Sequence, residues 1–258
     1  GVNHSAYTDA IDGLTMRALV TGGAGFIGSH LVDELVDAGY SVKIIDNLSS
    51  GNLALVNHQI AAGNAEFIEG DITSIDDVLQ ATKEVDVVFH MAANPDIRLG
   101  TQVTDTDLKQ GTIATYNILE AMRINNVNKI VFASSSVVYG EDAPMPTPES
   151  FGPCLPISLY GASKVGSANI IGNRGTHGVI FDFIHKLKRD NTRLEVLGNG
   201  LQEKSYMEVK DCVRGMMHIF NTSTSPINLY NLGSHDTCSV RRIAEIVVEE
   251  TGCRDATI

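Results

Sequence analysis

The sequence has few of the features that would point to a membrane, a nucleic acid or a metal ion. No run of about 18 or more apolar residues is present, so no transmembrane helix is predicted. Basic residues number 19 against 31 acidic ones, and the net charge of −12 argues against a nucleic-acid backbone or an anionic membrane as partner. The eight histidines lack the spacing of metal ligands, so we predict no metal site.

Cysteine is also scarce, and its spacing is uninformative. The four cysteines lie far apart without a C-x-x-C pair, which favours free thiols in a reducing, cytoplasmic setting. The first residues show no basic start followed by an apolar stretch, so no signal peptide is predicted. We expect Met16 to be the natural start of translation, so the fold prediction leaves out residues 1–15.

Short apolar runs alternate with segments of helical periodicity. The runs are rich in β-branched residues and too short for buried helices, so they predict strands. They cover residues 18–20, 41–46, 66–71, 85–93 and 129–136. Helices are predicted after the first run, over 74–83, over 114–125, and near the end of the chain between an N-cap at Ser239 and a stop at Gly252. The alternation predicts an α/β fold with a doubly wound parallel sheet.

Three glycines in seven positions follow the first strand: Gly22, Gly25 and Gly28. A strand-to-helix turn this tight needs residues without a Cβ. The missing side chains also let a pyrophosphate approach the helix N-terminus, where unpaired N–H groups and the dipole favour an anion. Such turns also occur in purely structural loops, so the glycines alone leave the function open.

An acidic residue ends the second predicted strand. The carboxylate of Asp46 can accept both hydroxyls of an adenine ribose and would repel a 2′-phosphate, which favours NAD over NADP. The alternative is a plain turn residue in the polar segment 46–52. Strand, glycines, helix, second strand and acid together predict dinucleotide binding.

A tyrosine and a lysine form a second constellation. Tyr160 and Lys164 are four residues apart, so they share one face of a helix that Ser158 can cap. A nearby ammonium and a helix N-terminus both favour the phenolate, which makes Tyr160 a candidate base. Three serines, 134–136, follow the fifth strand, and a hydroxyl there can hold a substrate alcohol. The alternatives are a surface pair and a polar exit from the strand.

Nine motifs now occur in a familiar order between residue 16 and the C-terminus. They are TGGAGFIGSHLV, DNLSSGN, GDI, VFHMAA, SSSVVYG, YGASK, ANIIG, HGVIFDFI and GNGLQEKSYMEVKD. In these motifs the chain resembles the extended short-chain dehydrogenase/reductases, in particular the NAD-dependent epimerases of the UDP-glucose 4-epimerase type. The resemblance implies a Rossmann domain over 16–168 and a smaller, mainly substrate-binding domain over 169–258 that partly returns to the first.

The resemblance also implies the residues that contact NAD. They are Gly22, Gly25, Phe26, Ile27 and Gly28 at the pyrophosphate, Asp46 and Asn47 at the adenosine ribose, Asp71 and Ile72 at the adenine, and Ala92, Ala93 and Lys164 at the nicotinamide half.

The implied catalytic residues are Ser135, Tyr160 and Lys164. Tyr160 would take the proton of the sugar C4 hydroxyl while hydride passes to NAD, and the 4-keto sugar would rotate before hydride returns. The implied substrate-binding residues are Ser135, Asn169, His177, Val179 and Lys204. Lys204 stands where many relatives carry an arginine, so it keeps the charge and loses the bidentate fork.

Alternatives within and outside this family stay open. Related dehydratases place an Asp-Glu pair after the catalytic hydroxyl, where this chain has Ser136 and Val137, and valine cannot transfer a proton. The alternative functions are another nucleotide-sugar oxidoreductase, a decarboxylase, a dehydratase and a non-catalytic NAD(H) sensor. The resemblance further implies a homodimer formed through a four-helix bundle of residues 114–125 and the helix that carries Tyr160.

One region departs from what the fold requires. Only four residues separate Lys164 from Asn169, whereas a crossover between parallel strands needs about 10–12 residues. We therefore expect a helix and a strand to be absent from the sequence near Ser167 and Ala168, whose Cα atoms would then lie well beyond the ~3.8 Å of a trans peptide. A bond between these two residues would instead indicate a deletion and weaken the catalytic interpretation.

Overall fold

A computed structural model describes most of the chain outside its first residues and one internal stretch. The described residues are 15–144, 147–151, 154, 156–165, 192–194, 196, 200–225, 228, 230–234, 236–253 and 256–258. Asn169, His177 and Val179 lie outside these ranges, as does the expected break at Ser167 and Ala168. Those expectations stay predictions.

A five-stranded parallel sheet organises the first half of the chain. Its strands are β1 (Arg17–Thr21), β2 (Ser41–Asp46), β3 (Ala65–Glu69), β4 (Val87–His90) and β5 (Ile130–Phe132). Their order is β3-β2-β1-β4-β5, and Ala18 of β1 lies between Val42 of β2 and Val87 of β4. The chain adds β2 and β3 on one side of β1 and then crosses to the other side, so β1 and β4 form the switch point where such sheets bind ligands.

Helices connect these strands and follow them. They are α1 (Phe26–Asp37), α2 (Asn57–Ala61), α3 (Ile75–Ala81), α4 (Ala114–Ile124), α5 (Leu159–Val165), α6 (Val209–Thr222) and α7 (Val240–Glu250). A π-helical segment, Leu108–Ile113, runs directly into α4. The hydroxyl of Ser239 accepts the N–H of Arg242 at 3.1 Å, and Gly252 follows α7 with φ of +75°, so both predicted boundary signals of that helix are confirmed.

The helices cover both faces of the sheet, because neighbouring strand residues point to opposite sides. Val20 belongs to a cluster with Leu31 of α1, and Leu19 belongs to a second cluster with Val78 of α3 and Ile118 of α4. All five side chains are fully buried. The doubly wound arrangement predicted from the alternation of strands and helices is therefore confirmed.

Helix α6 was missed by the sequence analysis. It buries Val209, Cys212, Val213, Met216 and Met217 against the cluster that contains α1. Their spacing is that of an amphipathic helix, so the signal was present in the sequence. Through α6 the chain returns to the parallel sheet after residue 200.

A smaller antiparallel pair, β6 (Glu203–Ser205) and β7 (Thr237–Ser239), leads into α7. Helix α7 packs in a cluster of its own with Leu194, which is separate from the two clusters of the parallel sheet. The division into domains at residue 168 stays a prediction.

The described residues form neither a membrane-spanning helix nor a metal-binding cluster. No helix among them has the length and apolar character needed to cross a membrane. They also hold no group of three or more histidine, cysteine or acidic side chains arranged to bind a metal ion. Cys154, Cys238 and Cys253 are free thiols, and the cytoplasmic setting stays a prediction.

Candidate active site

The glycine-rich turn closes the space between β1, α1 and β4. Gly22 has φ of +67°, and a Cβ on it would lie 2.9 Å from the Cα of Ala92, which follows β4. A Cβ on Gly28 would collide with the carbonyl oxygen of Gly22. These two glycines therefore allow the turn, the helix and the neighbouring strand to meet at the switch point.

The N-terminus of α1 is open to an anion. Its N-cap residue is Gly25, which has no side chain to accept the first N–H groups of the helix. Side chains do cap α3 and α7, through Ser74 and Ser239. The N–H groups that begin at Phe26 therefore fit the pyrophosphate of a dinucleotide, as the sequence predicts.

Asp46 lies at the carboxyl end of β2, beside this turn. Its Oδ1 accepts the N–H of Leu48 at 2.9 Å and its Oδ2 accepts the N–H of Ala24 at 3.1 Å. Burial raises the pKa of this carboxyl above its ordinary value, and the two N–H groups partly oppose that rise. A Cβ on Gly51 would lie 2.8 Å from Oδ1, so glycine keeps this oxygen accessible. Each oxygen retains a lone pair for a ribose hydroxyl.

The residues predicted at the adenine and at its ribose are joined past the ends of β2 and β3. The amide of Asn47 donates to Asp71 Oδ2 at 3.3 Å, and Asp71 Oδ1 accepts from the N–H and hydroxyl of Thr73. Burial alone would raise the pKa of Asp71, but these hydrogen bonds outweigh it and hold the pKa below its ordinary value. The carbonyl of Ile72 accepts from Asn117 of α4 at 3.1 Å, which anchors the segment.

The three predicted catalytic residues meet at the carboxyl end of β5. Ser135 follows β5 and is buried, while Tyr160 and Lys164 lie on α5. The Ser135 side chain lies near enough to Tyr160 to lower the pKa of its phenol. The Lys164 ammonium donates to the carbonyl of Ala133 at 3.0 Å and lies 5.8 Å from the centre of the Tyr160 ring.

Local sequence explains why α5 presents these groups. Ser158 Oγ accepts the N–H of Gly161 at 2.9 Å, so the predicted cap is confirmed. A Cβ on Gly161 would lie 3.1 Å from the carbonyl oxygen of Val137. Glycine at this position lets α5 pack against the short 3-10 turn that follows Ser135, which brings Tyr160 to the serine.

The ionisation of Tyr160 differs from the expectation. Burial, and then the carboxylate of Asp107, raise the pKa of this phenol above its ordinary value, and the nearby Ser135 side chain only partly lowers it. The pKa of this phenol is therefore raised, against the prediction that a nearby ammonium and a helix N-terminus favour the phenolate. Desolvation destabilises the phenolate more than the neighbouring groups stabilise it. The Lys164 ammonium donates its hydrogen bond to the carbonyl of Ala133 instead.

Lys204 lies in β6, exposed, opposite Cys238 of β7. Ala92 and Ala93 lie directly past the end of β4, half-buried, at the switch point. The roles of these three residues toward substrate and cofactor stay predictions.

The sequence analysis missed a buried network around His90. Its Nδ1 lies 2.7 Å from Thr21 Oγ1, and its Nε2 lies 3.2 Å from Thr115 Oγ1 of α4. Thr21 Oγ1 also accepts the N–H of Ala92 at 3.1 Å. The imidazole thus ties the switch point to α4. Burial, together with the charge of Lys164, lowers the pKa of His90 to about 3.

This histidine makes stability depend on pH. An unfolded-state pKa of 6.5 exceeds the folded-state value, so the unfolded chain binds the proton first. The contribution of His90 is complete above pH 6.5 and is lost as the pH falls toward about 3, at up to about 1.4 kcal/mol per pH unit. Urea unfolding of the wild type and of His90→Gln between pH 7.5 and 4.5 checks this. The variant should show the shallower pH slope, and equal slopes would contradict the assignment.

The fold and the geometry of the site define the class of protein. An extended short-chain dehydrogenase/reductase has this architecture: a doubly wound parallel sheet, a glycine-rich first turn, an acid at the end of β2 and a Ser-Tyr-Lys set after β5.

Comparison with known proteins narrows this class. Residues 18–173 match the NAD dependent epimerase/dehydratase family. The putative UDP-glucose 4-epimerase of Methanocaldococcus jannaschii is 35% identical over 266 residues, which cover 93% of this chain and 84% of that protein. UDP-glucuronic acid decarboxylase 1 of Xenopus tropicalis is 30% identical over 267 residues, 92% of this chain and 61% of that protein. A solved UDP-galactose 4-epimerase is 41% identical and superposes with a TM-score of 0.80 over 92% of this chain and 83% of its own.

The chain therefore belongs to the NAD dependent epimerase/dehydratase family. It is an epimerase-like enzyme, and NAD is its cofactor.

Proposed function

We propose that the protein interconverts nucleotide sugars that differ at C4, with UDP-glucose and UDP-galactose as the expected pair. The set of a half-buried Tyr160 with buried Ser135 and Lys164, in a fold whose first turn fits a pyrophosphate, carries this proposal. The similarity to a putative UDP-glucose 4-epimerase and to a UDP-galactose 4-epimerase supports the choice of substrate.

The cofactor would be held by the residues that the sequence predicted. The first turn of α1 would bind its pyrophosphate, and Asp46 with Asn47 would bind its adenosine ribose. Lys164 would bind the other ribose. Bound NAD would supply reversible hydride acceptance from C4 of the sugar and, in its oxidised form, the positive charge of its nicotinamide ring.

Tyr160 would move the proton that accompanies this redox chemistry. It accepts the proton of the C4 hydroxyl as that carbon is oxidised, and it returns the proton to the same oxygen after the sugar has presented its other face. The Ser135 hydroxyl orients the sugar oxygen toward the phenol. Burial of Ser135 and Lys164 keeps water away from the reactive atoms.

The residues after Ser135 favour this outcome over elimination. Ser136 and Val137 begin the 3-10 turn that runs to Tyr139, and the N–H of Val137 donates to Ser135 Oγ at 3.4 Å. Neither side chain is a carboxylic acid that could protonate a leaving hydroxyl. Redox chemistry at C4 without dehydration is the result that these side chains support.

Incubation with UDP-galactose, followed by proton NMR, tests the proposal. We expect UDP-glucose to form until the two sugars reach equilibrium, without net NADH at 340 nm. Release of CO₂ from UDP-glucuronate with no C4 interconversion would assign a decarboxylase instead. Binding of NAD(H) without turnover of a panel of UDP-sugars would assign a sensor.

We also propose that the protein is a homodimer. Ile113, Tyr116 and Leu119 recur every three residues and expose an apolar face on and just before α4. Leu159 and Val165 extend exposed apolar surface onto α5. Two copies of these helices would bury the patch in a four-helix bundle.

A charge in this patch should separate the subunits. Leu119→Lys places an ammonium where the bundle needs apolar contact, so we expect the mass by light scattering to fall from two chains to one. Leu201→Lys is the matched control, because Leu201 is also exposed but lies outside α4 and α5. A wild type that elutes as one chain would end the dimer proposal.

A further inference from the structure

Asp107 is a buried carboxylate that none of the proposed steps uses. It precedes the π-helical segment Leu108–Ile113 and is 1% exposed. Its Oδ1 accepts the Nδ2–H of Asn94 at 3.0 Å. Its Oδ2 is buried and has no hydrogen-bond partner among the described residues. An unpartnered buried carboxylate oxygen is costly and calls for a physical reason.

Neighbouring residues hold this carboxylate in one place. Asn94 is itself fixed, because its Nδ2 also donates to the carbonyl of Asp96 at 2.8 Å and its Oδ1 accepts the N–H of Asp96 at 3.1 Å. A Cβ on Gly100 would collide with Asp107 Oδ2 and would lie 4.0 Å from the Cβ of Leu159, the first residue of α5. The charge therefore lies against the start of the helix that carries Tyr160 and Lys164.

The carboxylate acts on both of these side chains. Burial lowers the pKa of Lys164 to about 8, and the charge of Asp107 acts in the opposite direction. Burial raises the pKa of Tyr160, and Asp107 adds to the rise. Asp107 is the charged side chain from the described residues that perturbs both groups.

The other side chains near Tyr160 and Lys164 do not offset the charge of Asp107. His90, from β4, is buried with a pKa of about 3 and is neutral at physiological pH. Ser135, on the turn after β5, contributes a neutral hydroxyl. Asp105 and Lys109, beside Asp107 in sequence, form an exposed pair with each other at 2.6 Å.

We propose that Asp107 is a positioning residue whose fixed buried charge keeps the Lys164 side chain in its ammonium form beside Tyr160. The role of Lys164 in this statement rests on the proposed function. As the ammonium, Lys164 can donate to Ala133 and to a ribose hydroxyl, and it attracts negative charge that develops on the phenol. Keeping this charge buried leaves Asp107 Oδ2 desolvated and without a hydrogen-bond partner among the described residues, which is energetically unfavourable.

Titration of Lys164 in Asp107→Asn tests the proposal without an activity assay. Lysines labelled with ¹³C at Cε are followed by NMR against pH, and the spectrum of Lys164→Met assigns the resonance. We expect the pKa of Lys164 to fall from about 8 by about one unit or more, because a nearby opposite charge is lost. A site that merely loosens would expose Lys164 and move its pKa up toward the ordinary value of about 10.4, which would overturn the proposal.

Two further variants complete the test. Asp105→Asn removes an equal charge two residues away at the surface, and we expect it to leave the Lys164 titration unchanged. Gly100→Ala keeps the charge but pushes the carboxylate away, so the Lys164 pKa should again fall, and this variant replaces Asp107→Asn if that one does not fold. An unchanged pKa in the folded variant would overturn the proposal.

The pH profile of turnover provides a second readout. If the wild type epimerises UDP-galactose, the alkaline limb of kcat in Asp107→Asn should move to lower pH by the same shift that NMR measures, while Asp105→Asn keeps the wild-type limb. If the alkaline limb of kcat in Asp107→Asn stays at the wild-type pH, Asp107 does not affect the reaction through Lys164. Failure of the wild type to turn over any UDP-sugar would end the proposed function, while the NMR titration would still decide the charge effect.

Discussion

Phenylalanine in place of Tyr160 should lower kcat for UDP-galactose by about 10²–10⁴-fold, the usual contribution of a positioned acid–base group. The change removes one oxygen and leaves the ring, so packing on α5 and binding of NAD should be retained. Steady-state kinetics and a calorimetric titration with NAD measure the two effects. A large loss of turnover at unchanged cofactor affinity is the expected result.

Tyr139→Phe is the matched control for this experiment. Tyr139 also lies near Ser135, but its hydroxyl donates to Asn231 Oδ1 at 2.7 Å, away from Lys164. Its loss should change kcat by no more than a few fold, because a neutral, exposed hydrogen bond contributes only about 0.5–1.5 kcal/mol. If Tyr160→Phe turns over UDP-galactose as fast as the wild type, the phenol of Tyr160 is not the acid–base group.

Alanine at Gly28 should weaken NAD binding by about 100-fold or more. The added Cβ would collide with the carbonyl oxygen of Gly22, so either α1 or the turn must shift, and a displacement of about 1 Å at a binding site can cost that much. Overpacking of this kind also costs about 1–3 kcal/mol in the free energy of unfolding. Calorimetry with NAD and urea unfolding measure the two losses.

Gly63→Ala distinguishes this collision from a general intolerance of glycine replacement. Gly63 has φ of +74° and no atom within 4 Å of the position of a Cβ, so alanine there meets only backbone strain. We expect a loss of stability of about 1–2 kcal/mol and unchanged NAD affinity. Equal NAD affinities in Gly28→Ala and the wild type would show that the turn tolerates the side chain.

Local patterns in the sequence predicted much of the architecture. Alternation of β-branched runs with amphipathic segments indicated the parallel sheet, and Ser158 and Ser239 marked helix starts because a cap acts within three residues of its own position. The same kind of pattern was present in α6 and was missed. Helix α6 follows the part of the chain in which strands and helices alternate. In the sequence its buried face shows only as the helical spacing of apolar residues.

The residues alone predicted that one hydroxyl of the serine run 134–136 faces the phenol of Tyr160, and only the family resemblance selected Ser135. The two residues are distant in sequence, and their contact depends on how α5 packs against the turn after β5. The hydrogen bonds of Asp46 to Ala24 and Leu48 likewise became visible only in the folded chain.

The sequence by itself determined the alternation of elements, the glycine turn and the types of side chain available for chemistry, because these depend on residues close together in the chain. Only the tertiary structure decided how those side chains ionise. Burial raises the pKa of Tyr160 against the expected direction and lowers that of His90 to about 3, while the charge of Asp107 opposes the effect of burial on the pKa of Lys164. Desolvation and charge act through space, so they depend on neighbours that β4, the π-helical segment and α5 bring together from separate parts of the chain.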